Sequence, residues 1–413
     1  MSETADDPKT VFLATMAREL HRAGLATDAL ESTLLGVANA IQIDVQVFAL
    51  PTNITLGVGP FLDQKVVMMR LEPGRVNLRK IALLNLIYDD LQAGKIDYRE
   101  AAILLSTMDR RWPGINAAWD VPALALVAGG VGILLGANVR EVVVAACIGA
   151  FSGIISVAAA RIVVIARLYE VIAAFGSTLI VAAFTHFFGP INIYVSIVAG
   201  VVVLLPGYSL TLALHELANG DLVAGVARLG KVLSVLLALG CGAFLGFATI
   251  GPSILQTADT HTHAVASRYW IVAAVAMATG LSVDLDARLH DFVWVFASSF
   301  VALLASHLLG STPVHQVAAF GAAFICGIVA NLGARFLRIP QPVMLVPALL
   351  VLVPGSLSYE SVLFAFQQNI STSLTFASNA AFAAIELVAG LLLSQLLFPT
   401  TALHARGGIG RFR

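Results

Sequence analysis

Residues 204–207 read Leu-Leu-Pro-Gly, and residues 352–355 read Leu-Val-Pro-Gly, an offset of 354 − 206 = 148 positions. Each copy ends an apolar run. The same offset carries 120–138 onto 268–286, 142–162 onto 290–310, 165–186 onto 313–334, and 227–250 onto 375–398. A membrane span needs ~20 apolar residues, with ~17 at the lower limit. Ten stretches qualify: 121–138, 141–160, 168–188, 190–206, 229–250, 268–286, 291–310, 313–334, 340–356 and 375–398. Gly207–Gly230 and Leu357–Leu374 are not apolar enough to span, yet their pattern is helical. One shift therefore aligns five spans with five. Five is odd, so the second half is expected upside down relative to the first, as in the inverted repeats of secondary transporters.

Composition supports a chain in lipid. Of 413 residues, 58% are hydrophobic and 12% charged, with net charge −1. Soluble domains carry about 25% charged residues, so a water-soluble globule is excluded. The charge balance gives no case for nucleic acid. Cys147, Cys241 and Cys326 lie far apart inside apolar runs, which argues against a disulfide framework or a metal site. The opening MSETADDPKT lacks a basic stretch leading into an apolar core, so no cleavable signal is expected. Residues 1–120 hold 12 of the 24 Lys and Arg and 15 of the 25 Asp and Glu, which marks them as a water-facing domain.

Within 1–120 the spacing predicts helices over Val11–Ala23, Thr27–Ala40, Asn77–Gln92 and Asp97–Asp109. Thr27 or Asp28 is the expected cap of the second, with Glu31 reaching back, and Asp97 with Glu100 resembles a capping box. Ile43, Val45 and Val47 alternate before Pro51-Thr52-Asn53, and Lys65–Leu71 follows, which predicts two or three short strands. His21 reads as an ordinary surface or helix-face histidine. With this domain in the cytoplasm, one set of loops holds Arg161, Arg167, Arg228, Lys231, Arg288, Arg335, Arg338, Arg406, Arg411 and Arg413. The opposite set holds Arg140 and Arg268. The positive-inside bias then puts both termini in the cytoplasm and 252–267 on the other side.

The fold expected is an all-α polytopic membrane bundle: ten transmembrane helices as two inverted five-helix repeats, with a small α+β N-terminal cytoplasmic domain. Its parts are the domain 1–120, the repeats 121–251 and 268–398, and the tail 399–413.

The stretch LHRAGLATDALESTLLGVANAIQIDVQVFALPTNI, the segment LLPGYSLTLALHELANGDLVAGVARL and the later LVPGSLSYESV resemble the threonine/serine exporter family. The resemblance covers nearly the whole chain. It implies a secondary exporter of L-threonine and L-serine driven by the proton motive force, in a bacterial-type inner membrane. A cofactor is not expected. The partners implied are a small amino acid, protons and the bilayer, with homo-oligomerisation left open. A channel or carrier for another small polar or anionic metabolite is the alternative.

The Pro-Gly elements are the site candidates on physical grounds. Proline removes a backbone donor and glycine tolerates the break. Freed backbone groups in lipid are acceptable only against protein or a water-filled cavity, and a restarting helix offers N–H groups to an anion such as a carboxylate. Substrate-binding candidates around the first break are Pro206, Gly207, Ser209, Thr211, His215 and Asn219. Around the second they are Pro354, Gly355, Ser356, Ser358, Gln367, Gln368 and Asn369. The other reading is a kink followed by an interfacial helix. Glu386, inside the last apolar run, is the leading proton-coupling candidate, because a carboxylate at that depth costs ~3 kcal/mol unless paired, solvated or protonated. A structural hydrogen bond is its alternative role. Glu216 and Asp221 are rival carriers, expected nearer the cytoplasmic edge as solvated charges.

Other patterns are set aside. Gly225–Lys231 fits G-x-x-x-x-G-K, but Val232 follows where a Ser or Thr is needed. His215-Glu216 begins a zincin motif, but Asn219 replaces its second histidine. His261 and His263 read as part of a polar loop. The pairs Gly132/Gly136, Gly149/Gly153 and Gly242/Gly246 read as close helix contacts. No nucleophile elbow or paired catalytic carboxylates appear, so an enzyme is not expected.

Overall fold

The computed structural model describes residues 7–60, 62–72, 74–250, 269–310, 317–337 and 339–399. The chain opens with α1 (Pro8–Arg22), α2 (Thr27–Ala40), β1 (Val45–Leu50), β2 (Asn53–Val58), β3 (Lys65–Arg70), α3 (Leu78–Gln92) and α4 (Tyr98–Arg111). The strands form an antiparallel sheet in the order β1-β2-β3, and Leu50 pairs with Asn53 across the Pro51-Thr52 turn. Asp97 and Glu100 form a reciprocal capping box on α4. The expected cap of α2 does not form; Ala26 occupies that position without a side-chain bond. Thr27 instead donates to Glu216 Oε1 (2.7 Å), and Glu31 accepts from the Ala49 amide (2.7 Å). Hydrogen bonds to an ionised group are about twice as strong as neutral ones, so the tertiary partners win.

The helical remainder comprises α5 (Asp120–Leu134), α6 (Val139–Ala159), the short α7 (Val163–Arg167), α8 (Tyr169–Phe188), α9 (Ile193–Gly200), α10 (Gly207–Asn219) and α11 (Leu222–Ile250). After these come α12 (Trp270–Asp284), α13 (Phe292–Gly310), α14 (Ala318–Leu332), α15 (Gln341–Leu352), α16 (Gly355–Phe366) and α17 (Ile370–Leu397). Among the described residues, eight helical stretches are long and apolar enough to cross a membrane. The count is nine when Ile193–Gly200 and Val202–Asn219, bent by 55°, form one span. The first expected span of the second half is a shorter apolar helix, Trp270–Asp284. Large apolar side chains such as Leu237, Phe187 and Phe382 face outward, as a surface against lipid requires.

Pro354-Gly355 lies inside the candidate span Gln341–Phe366 rather than at its end, and Pro206-Gly207 lies inside the bent pair Ile193–Gly200 and Val202–Asn219. Gly207–Gly230 and Leu357–Leu374, expected not to span, are divided between the far halves of the broken spans and the first turns of α11 and α17. Helix resumes because each proline sits at the N-cap, where its missing N–H is no loss.

The offset of 148 recurs in the elements: Ile193 and Gln341 open α9 and α15, Gly207 and Gly355 open α10 and α16, and Leu222 and Ile370 open α11 and α17. Packing recurs with it. Helix α8 packs on α11 as α14 packs on α17, and α6 on α9 as α13 on α15. Between the halves, α10 meets α17 and α11 meets α16. Gly149 and Gly153 bring α6 against α5, and Gly242 and Gly246 bring α11 against α8. Gly136 is different: at φ +78° it ends α5 rather than packing it.

The N-terminal region is fastened to both halves. Asp286, after α12, accepts from Asn77 Nδ2 (2.8 Å), Arg79 Nε (2.9 Å) and the Ile115 amide (2.7 Å). Arg75 pairs with Asp284 of the second half and lies 3.5 Å from Asp120 of the first. The apolar core of α1–α4 runs on into Leu285, Val343, Met344 and Val346. Residues 251–268, with His261 and His263, and the tail from 400 lie outside the described residues.

Candidate functional site

The two breaks have almost the same backbone. Pro206 has φ −80°, ψ 36° and Pro354 has φ −77°, ψ 40°. They also touch each other. A Cβ on Gly207 would lie 3.1 Å from Gly355 Cα and 3.2 Å from its nitrogen, and would run into Val353 Cγ1. A Cβ on Gly355 would lie 3.1 Å from Leu205 Cβ and 3.5 Å from Gly207 Cα. A side chain at Gly207 would force Val353 to move and one at Gly355 would press on Leu205, so the halves cross backbone to backbone.

Four residues beyond each glycine stands a buried hydroxyl without a hydrogen-bond partner among the described residues: Thr211 Oγ1 and Tyr359 OH. Thr211 is 1% exposed and Tyr359 0%. Unpaired buried polar atoms are uncommon in native structures and call for a reason. Each helix after a break also packs into the other half. Tyr359 lies among Ile148, Ile197, Val201 and Leu205 of the first half, and Tyr208 lies against Leu349, Leu387 and Leu391 of the second.

Beside Thr211 is a cavity of about 90 Å³. Tyr208, Thr211 and His215 line it from α10, Gln341 and Leu345 from α15, and Gln395 from α17. The N-terminal region closes it with Asp28, whose Oδ1 is buried and unpartnered. An apolar chamber with a few convergent polar atoms is the usual form of a small-molecule site. Asp28 and the Thr211 hydroxyl suit an ammonium and a hydroxyl respectively.

The sequence candidates separate into groups. Pro206, Gly207, Pro354 and Gly355 form the crossing; Thr211 and His215 line the cavity; Ser209 lines a neighbouring one. Ser358 donates back to the Pro354 carbonyl (3.1 Å), and Ser356 is half-buried in the first turn of α16. Gln367, Gln368 and Asn369 are not brought to the crossing. They form the exposed turn before α17, where Asn369 accepts from the Thr372 amide (3.3 Å) and Gln367 from the Tyr194 hydroxyl (3.2 Å). A helix advances ~1.5 Å per residue, so a straight α16 carries them away. Asn219 is likewise exposed, 3.3 Å from His215 Nδ1. Tyr208, Asp28, Gln341 and Gln395 were missed. Nothing in their spacing marks them, because they converge from four separated segments.

The three expected proton carriers occupy unlike settings. Glu216 is not a solvated edge charge: it is fully buried, takes two hydrogen bonds from Arg228 (2.7 and 2.9 Å) and one from Thr27. The N-terminal region covers it, which sequence position alone did not reveal. Asp221, between α10 and α11, is half-buried; burial and the nearby Asp28 and Glu216 carboxylates push it above the ordinary carboxylate range. Glu386 faces the backbone amides of Ala319 and Phe320 at the first turn of α14.

Against known families, the ThrE profile of threonine/serine exporters matches residues 11–250, more than half the chain. The chain belongs to the threonine/serine exporter family. A second profile, "Threonine/Serine exporter, ThrE", matches residues 267–397. The first match ends where α11 ends and the second begins just before α12, so the family division falls between the two sets of elements. Membership makes this a multi-pass membrane protein of an exporter family, not of an enzyme family.

Curated relatives are proteins named pheromone-regulated membrane protein 10. That of Eremothecium gossypii is 25% identical over 388 residues, covering 90% of this chain and 51% of the relative. The Zygosaccharomyces rouxii protein is 25% identical over 380 residues, 87% of this chain and 37% of the relative. The Candida albicans (strain SC5314) protein is 24% identical over 378 residues, 85% and 33%. The chain thus spans about half or less of these relatives. No solved structure matches it.

Proposed function

We propose that this exporter-family protein moves small neutral hydroxyl amino acids, L-threonine and L-serine, out of the cell at the expense of the proton gradient. The observation that carries the reading is the paired break. Gly207 and Gly355 meet backbone to backbone, beside a chamber holding the unpartnered Thr211 hydroxyl and Asp28 carboxylate. An amino acid supplies an ammonium for Asp28 and a hydroxyl for Thr211 or His215. Backbone amides at the start of α10 suit its carboxylate.

The proposed topology has ten spans, with Trp270–Asp284 and the bent pair each crossing once, the halves inverted, and both termini in the cytoplasm of an inner or plasma membrane. Proton exchange is assigned to Asp221, whose hold on a proton is strengthened by burial and by the Asp28 and Glu216 carboxylates. Glu386 is assigned to holding the start of α14. The test is uptake of radiolabelled threonine and serine into reconstituted vesicles, with and without a pH gradient. Accumulation that follows the gradient is expected. Gradient-insensitive flux of many solutes overturns the exporter and leaves a channel.

A further inference from the structure

A second and larger cavity, about 240 Å³, lies between the N-terminal region and the first half. Four cationic or imidazole side chains line it: His21 from α1, Arg75 from the segment before α3, and Arg228 and Lys231 from α11. Among the described residues no carboxylate lines it, although Glu72 and Glu170 lie near enough to Lys231 to bear on its charge. Arg75 is engaged by Asp284 and Asp120, and Arg228 by Glu216. Lys231 forms no ion pair among the described residues, and the Ser209 hydroxyl, also in the wall, makes no hydrogen bond among them.

His21, expected as an ordinary surface or helix-face histidine, stands on α1 but is 6% exposed, and its Nε2 has no partner among the described residues. The Pro51 carbonyl accounts for one hydrogen bond of the ring. Burial, together with Arg228, holds the imidazole below its ordinary range, consistent with a positive field at this wall. Burying an unpartnered polar atom costs about 1–3 kcal/mol, and Lys231, held in no ion pair among the described residues, lies close to the like charge of Arg228. Both penalties are relieved by one kind of occupant.

We propose that this cavity is an oxyanion site, which takes a small molecule through a phosphate or carboxylate group. Lys231 supplies a charge outside any ion pair, Ser209 a hydroxyl donor and Arg228 the remaining edge of its guanidinium, while His21 adds an N–H only when the bound anion offsets the field of Arg228 and a proton joins Nε2. The site is distinct from the chamber at Thr211, although Tyr208 lies in the wall of both. It is also not the phosphate loop suggested by Gly225–Lys231, because those residues are continuous helix within α11. An occupant would bridge the N-terminal region to the first half, beside the Arg75 link to the second.

The experiment uses the full-length protein in detergent, titrated with inorganic phosphate by calorimetry at constant ionic strength, with chloride as control. Saturable binding of one phosphate per chain is expected, weakened at least tenfold by Lys231→Gln and by His21→Gln. Where a variant fails to fold, the wild-type protein is acylated at lysine with and without phosphate and mapped by mass spectrometry; phosphate should protect Lys231. L-serine that displaces phosphate would identify the solute's own carboxylate as the ligand. Failure to displace would identify a separate phosphate-bearing metabolite. No saturable binding, binding indifferent to both variants, or unprotected Lys231 overturns the proposal, while threonine transport in vesicles tests the exporter separately.

Discussion

The hairpins that follow the two breaks share a frame and differ in chemistry. In α10–α11, Glu216 and Arg228 form a buried ion pair 2.7 Å apart. At the matching positions of α16–α17, 148 residues on, stand Phe364 and Phe376, whose rings stack at 5.4 Å. Asp221 before α11 is matched by Asn369 before α17, and Thr211 by Tyr359. The first hairpin abuts the N-terminal region, where Thr27 completes the carboxylate's hydrogen bonds. A repeat fixes where side chains meet, whereas the neighbours at each end decide whether a charge is tolerable there. Buried ion pairs and well-packed apolar pairs are often interchangeable in stability, but half of an ion pair is not.

The comparison breaks most severely at the crossing. Gly207→Leu and Gly355→Leu should each abolish vesicle transport while the protein still inserts. The gentler Gly207→Ala should do more damage than Gly355→Ala, because only the former drives a methyl into Val353. Near-normal transport by both leucine variants would favour a kink with no role in transport.

The ion pair comes next. Glu216→Leu strands Arg228, whose side chain is 14% exposed, and should lower the unfolding free energy by about 3 kcal/mol. Installing the second hairpin's solution, Glu216→Phe with Arg228→Phe, should recover most of that loss. A double variant as unstable as the single one would show that the two hairpins are not equivalent frames.

Thr211→Val and Tyr359→Phe remove hydroxyls that have no protein partner. Stability should therefore change by less than about 1 kcal/mol. Thr211 lines the chamber and Tyr359 does not, so substrate affinity should fall about tenfold for Thr211→Val, the worth of one hydrogen bond, and little for Tyr359→Phe. Equal losses would move the site toward the crossing itself.

The smallest expected effect on stability is in pH dependence. Burial, then Asp28 and Glu216, hold Asp221 above the ordinary carboxylate range in the folded chain. The folded state thus binds this proton more tightly than the unfolded state does. The associated stability is present in acid and is lost as pH rises through the elevated value. Asp221→Asn, which copies Asn369, should remove that slope from denaturation curves and uncouple transport from the pH gradient. Glu386→Gln should keep gradient-driven accumulation, since the amide oxygen can still accept from Ala319 and Phe320.

Much of this architecture is a one-dimensional property. Apolar length, the Pro-Gly pairs and the 148-residue offset are visible along the chain because a helix in lipid must satisfy its own backbone and present an apolar exterior. Those constraints act on each segment separately. The capping box at Asp97 and the runs that form β1 and β3 were legible for the same reason: each depends on neighbours a few residues away. Only the tertiary structure brought Gly207 against Gly355, gathered Asp28, Thr211, Gln341 and Gln395 around one chamber, and buried Glu216 and His21 where the N-terminal region meets the first half. Such placements depend on contacts between segments some 190 residues apart, as Thr27 and Glu216 are. The environment of a polar group is set by what packs over it, and no local pattern carries that information.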